Sequence, residues 1–440
     1  MKDTKFAKSE RCASISIALM VMMAAIFTFT FPIRGMAQTE SVIYSFTGGG
    51  DGYSPQSRLI FDGAGNLYGT TTFGATNNCP DFGAGCGVVF ELSPNGIGGW
   101  TRRVIHTFTG GAGGGEPYAG LTLDATGNLY GTATVGGTST NCTGGCGVVF
   151  KLTSNGSGGW SYGVIHSFDN SRGANPRAGV VFDISGNLYG VTYEGGSAGY
   201  GVAYKLSPTG GGGWGETVLH NFTIGADGGW PNSLLIDGSS GILYGTTYLG
   251  GKHGNCSSSG CGVVFQIAPG NGGFHLIYSF QGLFDGGNPS GLAEDGSKNL
   301  YVASSYGGDL KCYNFGCGTV VELSPSGTGW TKSMIHIFGR GSDGKFPQAG
   351  PTLDGSGNIY GTTANGGAGG AGVLFELSLS GGVWNEAILY SFDNGTGGGY
   401  PFSGVLLDGS GNIYGQTNSG GIPGDCSDFL GCGVVYEVTP

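Results

Sequence analysis

The stretch Gly65 to Thr71 reads GNLYGTT, and six variants of it follow: Gly127 (GNLYGTA), Gly186 (GNLYGVT), Gly241 (GILYGTT), Lys298 (KNLYVAS), Gly357 (GNIYGTT) and Gly411 (GNIYGQT). Just ahead of each copy an apolar run ends in aspartate, at Asp62, Asp124, Asp183, Asp237, Asp295, Asp354 and Asp408. A GVVFEL-like segment follows each copy, at Gly87, Gly147, Gly201, Gly262, Gly318, Gly372 and Gly433. A VIHSF-like segment comes next, at Val104, Val164, Val218, Leu276, Met334 and Ile388, and a lone copy stands at Val42 before the first motif. The period is about 58 residues, which marks a repeat architecture.

Each segment is short, rich in Val, Ile, Phe, Tyr and Thr, and bounded by Gly, Pro, Asn or Ser, which is strand composition. No window between them carries a 3.6-residue apolar period, so helices are not expected beyond the N-terminal segment. The links are antiparallel connections: a tight Asp-x-x-Gly-Asn turn, and a longer Ser-Pro-Asn-Gly-x-Gly-Gly-Trp hairpin. Four strands repeated seven times make either a radial propeller or a linear stack. The chain begins its repeats with a lone fourth segment (Ser41–Phe46) and ends them with a third, so one end supplies what the other lacks. The expectation is an all-β, seven-bladed β-propeller, closed by an N-terminal strand that completes the last blade. The motif tyrosines (Tyr68, Tyr130, Tyr189, Tyr244, Tyr301, Tyr360, Tyr414) and the rings Trp100, Trp160, Trp214, Trp330 and Trp384, with Phe274 replacing Trp once, should pack blade against blade.

Composition agrees. Glycine supplies 97 of 440 residues without a Gly-X-Y period, and aromatics reach 12%, too many for a disordered linker. The formal net charge is −11 with 18 Lys plus Arg and no basic stripe, which argues against nucleic acid as a partner. Residues 1–37 read as a signal peptide: a basic start, an apolar run from Ile15 to Phe31, and small residues at Gly35 and Ala37. Residues 38–440 then form the propeller domain, secreted or periplasmic, monomeric, and off the membrane after cleavage.

Ten cysteines fall in pairs between second and third strands: Cys79/Cys86, Cys142/Cys146, Cys256/Cys261, Cys312/Cys317 and Cys426/Cys432. Two repeats lack both members together. That pattern is expected of local disulfides rather than zinc, since only His253 lies near any pair. Neither a metal nor a cofactor is expected. Gly195–Gly199 matches G-x-S-x-G and Gly339–Lys345 matches G-x4-G-K, but the first lacks a helix and the second lacks the following Ser or Thr. His106, His166, His220 and His336 share one position with Tyr44, Tyr278 and Tyr390 and read as a half-buried polar ring. The strand-ending aspartates read as turn caps, because catalytic pairs should break a repeat's symmetry and these obey it.

Symmetry does break in the fourth-to-first and second-to-third loops. Tyr53, Tyr118, Trp230, Phe346 and Tyr400 lie there and are the candidate ligand-binding residues, able to stack on sugars. The nearest approach to a catalytic cluster is His253 with Asp309, Lys252 and Lys311. The tandem GNLYGTT…GG…GVVFELSP pattern over residues 41–440 resembles the GloVer-type repeat family of "choice-of-anchor" proteins, and GLTLDATGNLYGT is similar to an NHL-type propeller blade. The resemblance implies a bacterial surface or secreted propeller and carries no assigned activity. The expected function is a binding module for a glycan or a surface protein, with a propeller enzyme acting on polysaccharide or a lactone as the alternative.

Overall fold

The computed structural model describes residues 39–439 except 76–78, 80–83, 253, 257, 258, 271, 272, 311, 313, 314, 340, 425 and 427–430; the expected signal peptide lies outside the described residues. Seven four-stranded antiparallel sheets form a ring of blades. In blade 1 the four strands are Ile60–Phe61, Leu67–Thr71, Val88–Pro94 and Trp100–Thr107. In blade 7 they are Leu406–Leu407, Ile413–Thr417, Val434–Thr439 and, from the other end of the chain, Thr39–Ser45, which pairs antiparallel with Val434–Thr439. Among the described residues there is no α-helix; single 3₁₀ turns stand at Gly111–Gly113 and Leu283–Asp285.

Every letter of the opening motif has a physical task. Asp62 closes the turn before it: one carboxylate oxygen accepts the Ala64 and Asn66 backbone N–H groups, and the other accepts the Asn66 side-chain amide and the Tyr68 hydroxyl. Burial works against the charge, but these hydrogen bonds hold the Asp62 carboxyl below its usual range. The same set recurs at Asp124, Asp183, Asp295, Asp354 and Asp408. Asp237 departs from it and takes Ser239, Ser240 and Lys298 instead. Gly65 holds φ +83, a left-handed conformation that glycine supplies without cost. The first threonine of the motif reaches the next blade, as Thr70 donates to Pro117 O and Thr132 to Ala178 O. The second threonine, Thr71, receives the Val88 N–H and ties the second strand to the third.

Gly69 answers to packing. It pairs with Phe90 on the third strand, and a Cβ on it would stand 2.6 Å from Phe90 Cζ. The same cross-strand pair is Gly131/Phe150, Gly190/Tyr204, Gly245/Phe265, Gly361/Phe375 and Gly415/Tyr436. Blade 5 alone has Val302 in the glycine's place, and there the partner is Val321. Onto each third-strand ring leans the phenylalanine that ends the preceding blade's fourth strand. Phe108 meets Phe150 at 5.3 Å, Phe168 meets Tyr204 at 5.1 Å, and Phe46 meets Phe90 at 5.2 Å across the junction of blades 7 and 1. All of these rings are buried.

A second row of rings lies further along each blade. Trp160 packs edge-on against Tyr68 of the preceding blade, Trp214 against Tyr130, Trp330 against Tyr244, and Trp100 against Tyr414. Phe274 does not replace a Trp. The third-to-fourth hairpin of blade 4 is shorter, and Phe274 pairs with Ile267, the register that Glu216 has opposite Leu206 in blade 3.

All five expected disulfides are formed, Cys79–Cys86, Cys142–Cys146, Cys256–Cys261, Cys312–Cys317 and Cys426–Cys432, with Cα atoms 5.0–5.5 Å apart. Cys86, Cys261 and Cys317 are fully buried, and each packs in a hydrophobic cluster shared with the following blade. These sulfurs belong to the core. The second cysteine of each bridge presents its backbone carbonyl to the following blade. Cys86 O accepts from Glu116 N, Cys146 O from Asn175 N, Cys261 O from Asn288 N, Cys317 O from Phe346 N, and Cys432 O from Ser54 N. Blades 3 and 6 span the same gap with shorter loops and use Tyr200 O and Ala371 O instead.

If the junction of blades 7 and 1 carries the same load as the others, Phe46→Ala should cost about 3–5 kcal/mol in chemical denaturation, as Phe168→Ala should. A cost under about 1 kcal/mol for Phe46→Ala alone would show that the N-terminal segment is an appendage.

Candidate functional site: the loop face and the blade seams

The fourth-to-first loops pair with the ends of the second strands, as in the bridges Tyr53–Phe73, Ala174–Glu194 and Lys345–Asn365, so both sets of irregular segments share one face. One residue per loop, Ser54, Glu116, Asn175, Trp230, Asn288, Phe346 or Tyr400, holds φ between +54 and +61 immediately before a proline. Proline ordinarily drives its predecessor to extended backbone, so this conformation is held by its surroundings. Each of the seven donates its N–H to a carbonyl of the preceding blade. The proline that follows sits on a glycine of that blade: a Cβ on Gly87 would meet Pro117 Cδ at 2.9 Å, and one on Gly147 would meet Pro176 Cδ at 2.5 Å.

The five candidate aromatics divide on this geometry. Trp230, Phe346 and Tyr400 occupy the left-handed position itself, and Phe346 and Tyr400 pack partly against blade cores. Tyr53 precedes that position by one residue and lies against Phe73 at 5.7 Å. Tyr118 follows its proline and is 40% exposed. What the structure adds is a set of rings at the position just after the GNLYGTT motif: Tyr193 stacks on Trp230 at 5.6 Å and 11°, and the Arg177 guanidinium lies over Tyr193 at 4.3 Å and over Tyr118 at 5.9 Å. One residue further along its own repeat, Tyr306 touches Phe315 and Phe346. Burial, with Tyr306 and Tyr193 close by, pushes the Tyr248 hydroxyl up to about 12. The signal was in the sequence, because this position varies where the motif does not.

A cleft of about 640 Å³ opens beside Tyr118 and Arg177, lined also by Glu116, Asn170, Asn175 and Glu194. Near the ring's centre, first-strand segments crowd together, and a Cβ on Gly120 would stand 3.0 Å from Arg58 O. Arg58 itself makes no side-chain hydrogen bond or ion pair among the described residues. Desolvation by the surrounding protein lowers its pKa, although solvent reaches it. Ser197 of the G-x-S-x-G match sits in a turn between strands, without the helix that a nucleophile elbow requires. His253 and Lys311 of the expected nearest cluster lie outside the described residues.

The outward-facing histidine position is a set of unlike seams. A register shift in every fourth strand aims this residue at the fourth strand of the next blade. His106 stacks on Tyr162 at 3.8 Å, and His220 stacks on Phe274 at 4.2 Å with Asp227 2.9 Å from its Nε2. Arg102 lies over Tyr44, which donates to Asp51. His166 faces Glu216, which Arg172 also reaches at 3.0 Å; burial pushes the Glu216 carboxyl up to about 7. Tyr278 shares Asp285 with Lys332. His336 meets two carboxylates, Asp343 and Glu386.

Burial lowers the His106 pKa to about 4. Free histidine titrates near 6.5, so the stability tied to neutral His106 is full above about pH 6.5 and is lost as pH falls through the folded value. Acidification from pH 7 to pH 5 should therefore lower the Tm of the native protein more than that of His106→Phe; equal shifts would contradict the burial of this imidazole.

Comparison with known proteins adds the family. No curated protein matches the sequence. Among solved structures, the chain is similar to a gluconolactonase from Xanthomonas campestris (13% identity, TM-score 0.40, 71% of this chain and 82% of that one). It is also similar to a luciferin-regenerating enzyme (13%, 0.45, 92% and 95%) and to a puromycin hydrolase mutant (12%, 0.48, 83% and 50%). Likeness at these levels carries no argument about activity. The Gloeobacter/Verrucomicrobia repeat model matches residues 138–257 and again 254–440, and the chain belongs to that repeat family.

Proposed function

We propose that this protein is an extracellular binding propeller that holds an extended, neutral or weakly charged glycan on its loop face. The observation that carries the reading is the array of Tyr118, Arg177, Tyr193 and Trp230 beside a cleft of about 640 Å³. Sugar rings present apolar C–H faces that pack on aromatic rings, while hydroxyls seek directional polar partners. Asn170 and Asn175 in the cleft wall supply both donors and acceptors. The volume falls within the usual range for small-ligand sites. Five disulfides suit an oxidising compartment, in keeping with export. Tyr53, Phe346 and Tyr400 serve as further stacking positions along the same face, and the protein acts as a monomer.

One observation favours a second reading. Glu116 and Glu194 line the same cleft, and a pair of carboxylates across a bound sugar is the equipment of glycoside hydrolysis. In that case the protein is an enzyme acting on polysaccharide.

A glycan array on the residue 38–440 chain should show binding. Tyr193→Ala combined with Arg177→Ala should weaken it about tenfold or more while leaving the fold intact by circular dichroism. Undiminished binding would remove this face from consideration. Cleavage of a bound glycan that is lost in Glu116→Gln or Glu194→Gln would replace the binding reading with the enzymatic one, and capture of a surface protein without any glycan would replace the ligand class.

A further inference from the structure

The seam between blades 5 and 6 balances its charge differently from three of the others. At the preceding seam, between blades 4 and 5, the Asp285 carboxylate meets the ammonium of Lys332. Between blades 2 and 3, Arg172 lies against Glu216. Between blades 7 and 1, Arg102 stands over the ring of Tyr44, which donates to Asp51. Between blades 5 and 6, two carboxylates, Asp343 from the loop and Glu386 from the fourth strand of blade 6, converge on one imidazole, His336. No Lys or Arg among the described residues pairs with either carboxylate. Arg340 lies outside the described residues.

The geometry is that of a coordination sphere. His336 Nε2 is 3.1 Å from Asp343 Oδ1 and 3.5 Å from Glu386 Oε1, and one ligand atom from each of the three residues lies within 4.8 Å of the others. Bonds of about 2.0–2.1 Å in a tetrahedral zinc site place neighbouring ligand atoms roughly 3.4 Å apart. Glu386 Oε1 is buried and accepts no hydrogen bond. A buried acceptor without a donor is costly unless something positive fills the space before it. The other Asp343 oxygen is fixed by the Gly339 N–H, and the His336 ring is held edge-on against Phe338 at 4.6 Å. Both are the kind of outer support that orients metal ligands. One imidazole with two carboxylates suits a borderline divalent transition ion better than Mg²⁺ or Ca²⁺, which prefer all-oxygen sites.

We propose that His336, Asp343 and Glu386 bind one divalent transition-metal ion, Zn²⁺ in preference to Mn²⁺. The ion staples blade 5 to blade 6, as Lys332 and Arg172 staple their own seams. Three protein ligands leave a fourth position for water. The proposal stands without the glycan reading.

The test uses untagged residue 38–440 protein, stripped with chelator, dialysed and titrated with ZnCl₂ in a calorimeter, with metal content read by elemental analysis. The expected result is one Zn²⁺ per chain and a rise in Tm that chelator reverses. Glu386→Gln should lose the ion, and so should His336→Tyr, which installs the residue used at three other seams and so preserves the fold. Failure of the native protein to take up Zn²⁺ overturns the proposal, as does stoichiometric binding that survives both substitutions. Uptake by Arg340→Ala but not by the native protein would also overturn it, by showing that Arg340 supplies the missing charge.

Discussion

The contact on which the ring depends is a phenylalanine at the end of one blade's fourth strand, set at a steep angle against an aromatic ring on the next blade's third strand. Six seams have this pair, at 5.1–5.3 Å. The third-strand ring needs room, and the second strand provides it by carrying glycine opposite. The repeated Gly in GNLYGTT is therefore a packing requirement, not only a backbone one. Blade 5 makes the case from within the same molecule. Val302 stands where the glycine would be, Val321 stands where the ring would be, and Phe280 shares one hydrophobic cluster with both. Such a pair of compensating changes is what a shared volume demands.

Around that core the seams are free to vary. The outer position meets the next blade through a stacked ring, a cation over an aromatic, a salt bridge or a histidine with carboxylates, and each solution satisfies the same half-buried space. On the loop face the constraint is again between blades: a left-handed residue donates its N–H backwards, and the proline after it lies on a glycine. The side chain of that residue varies, and the chain uses serine, asparagine, glutamate, phenylalanine, tyrosine and tryptophan there. The propeller thus separates what must repeat from what can carry specificity.

The repeats, the seven-bladed all-β architecture and the cysteine pairs were legible because each rests on local chemistry written seven or five times. The aspartate caps were legible for the same reason. Other features were not. A residue before proline reads as extended, so the left-handed ring of Ser54, Glu116 and their counterparts is hidden until the neighbouring blade supplies its carbonyl. That Cys261 and Cys317 hand their carbonyls to Asn288 and Phe346 is hidden in the same way, because spacing shows the bridge but not the blade beside it. Phe274 sits near a Trp position in sequence, but a shorter hairpin shifts its register by the length of the missing turn. The partners Glu216 and Glu386 each lie 50 residues beyond the histidine they face, a spacing that names a pair only once the neighbouring blade shows which fourth-strand residue comes opposite. Tyr193 and Tyr248 follow the motif directly, at a position where no repeated letter marks a site.

The shared-volume account is tested most directly by transplanting blade 5's solution into blade 3. A Cβ on Gly190 would stand 2.3 Å from Tyr204 Oη and 2.5 Å from Cζ, so Gly190→Val alone must displace that ring and the Phe168 contact with it. Measured by thermal melting, Gly190→Val should be strongly destabilising, and the double variant Gly190→Val with Tyr204→Val should recover most of the loss. A single variant that melts like the native protein, or a double variant no more stable than the single, would contradict the account.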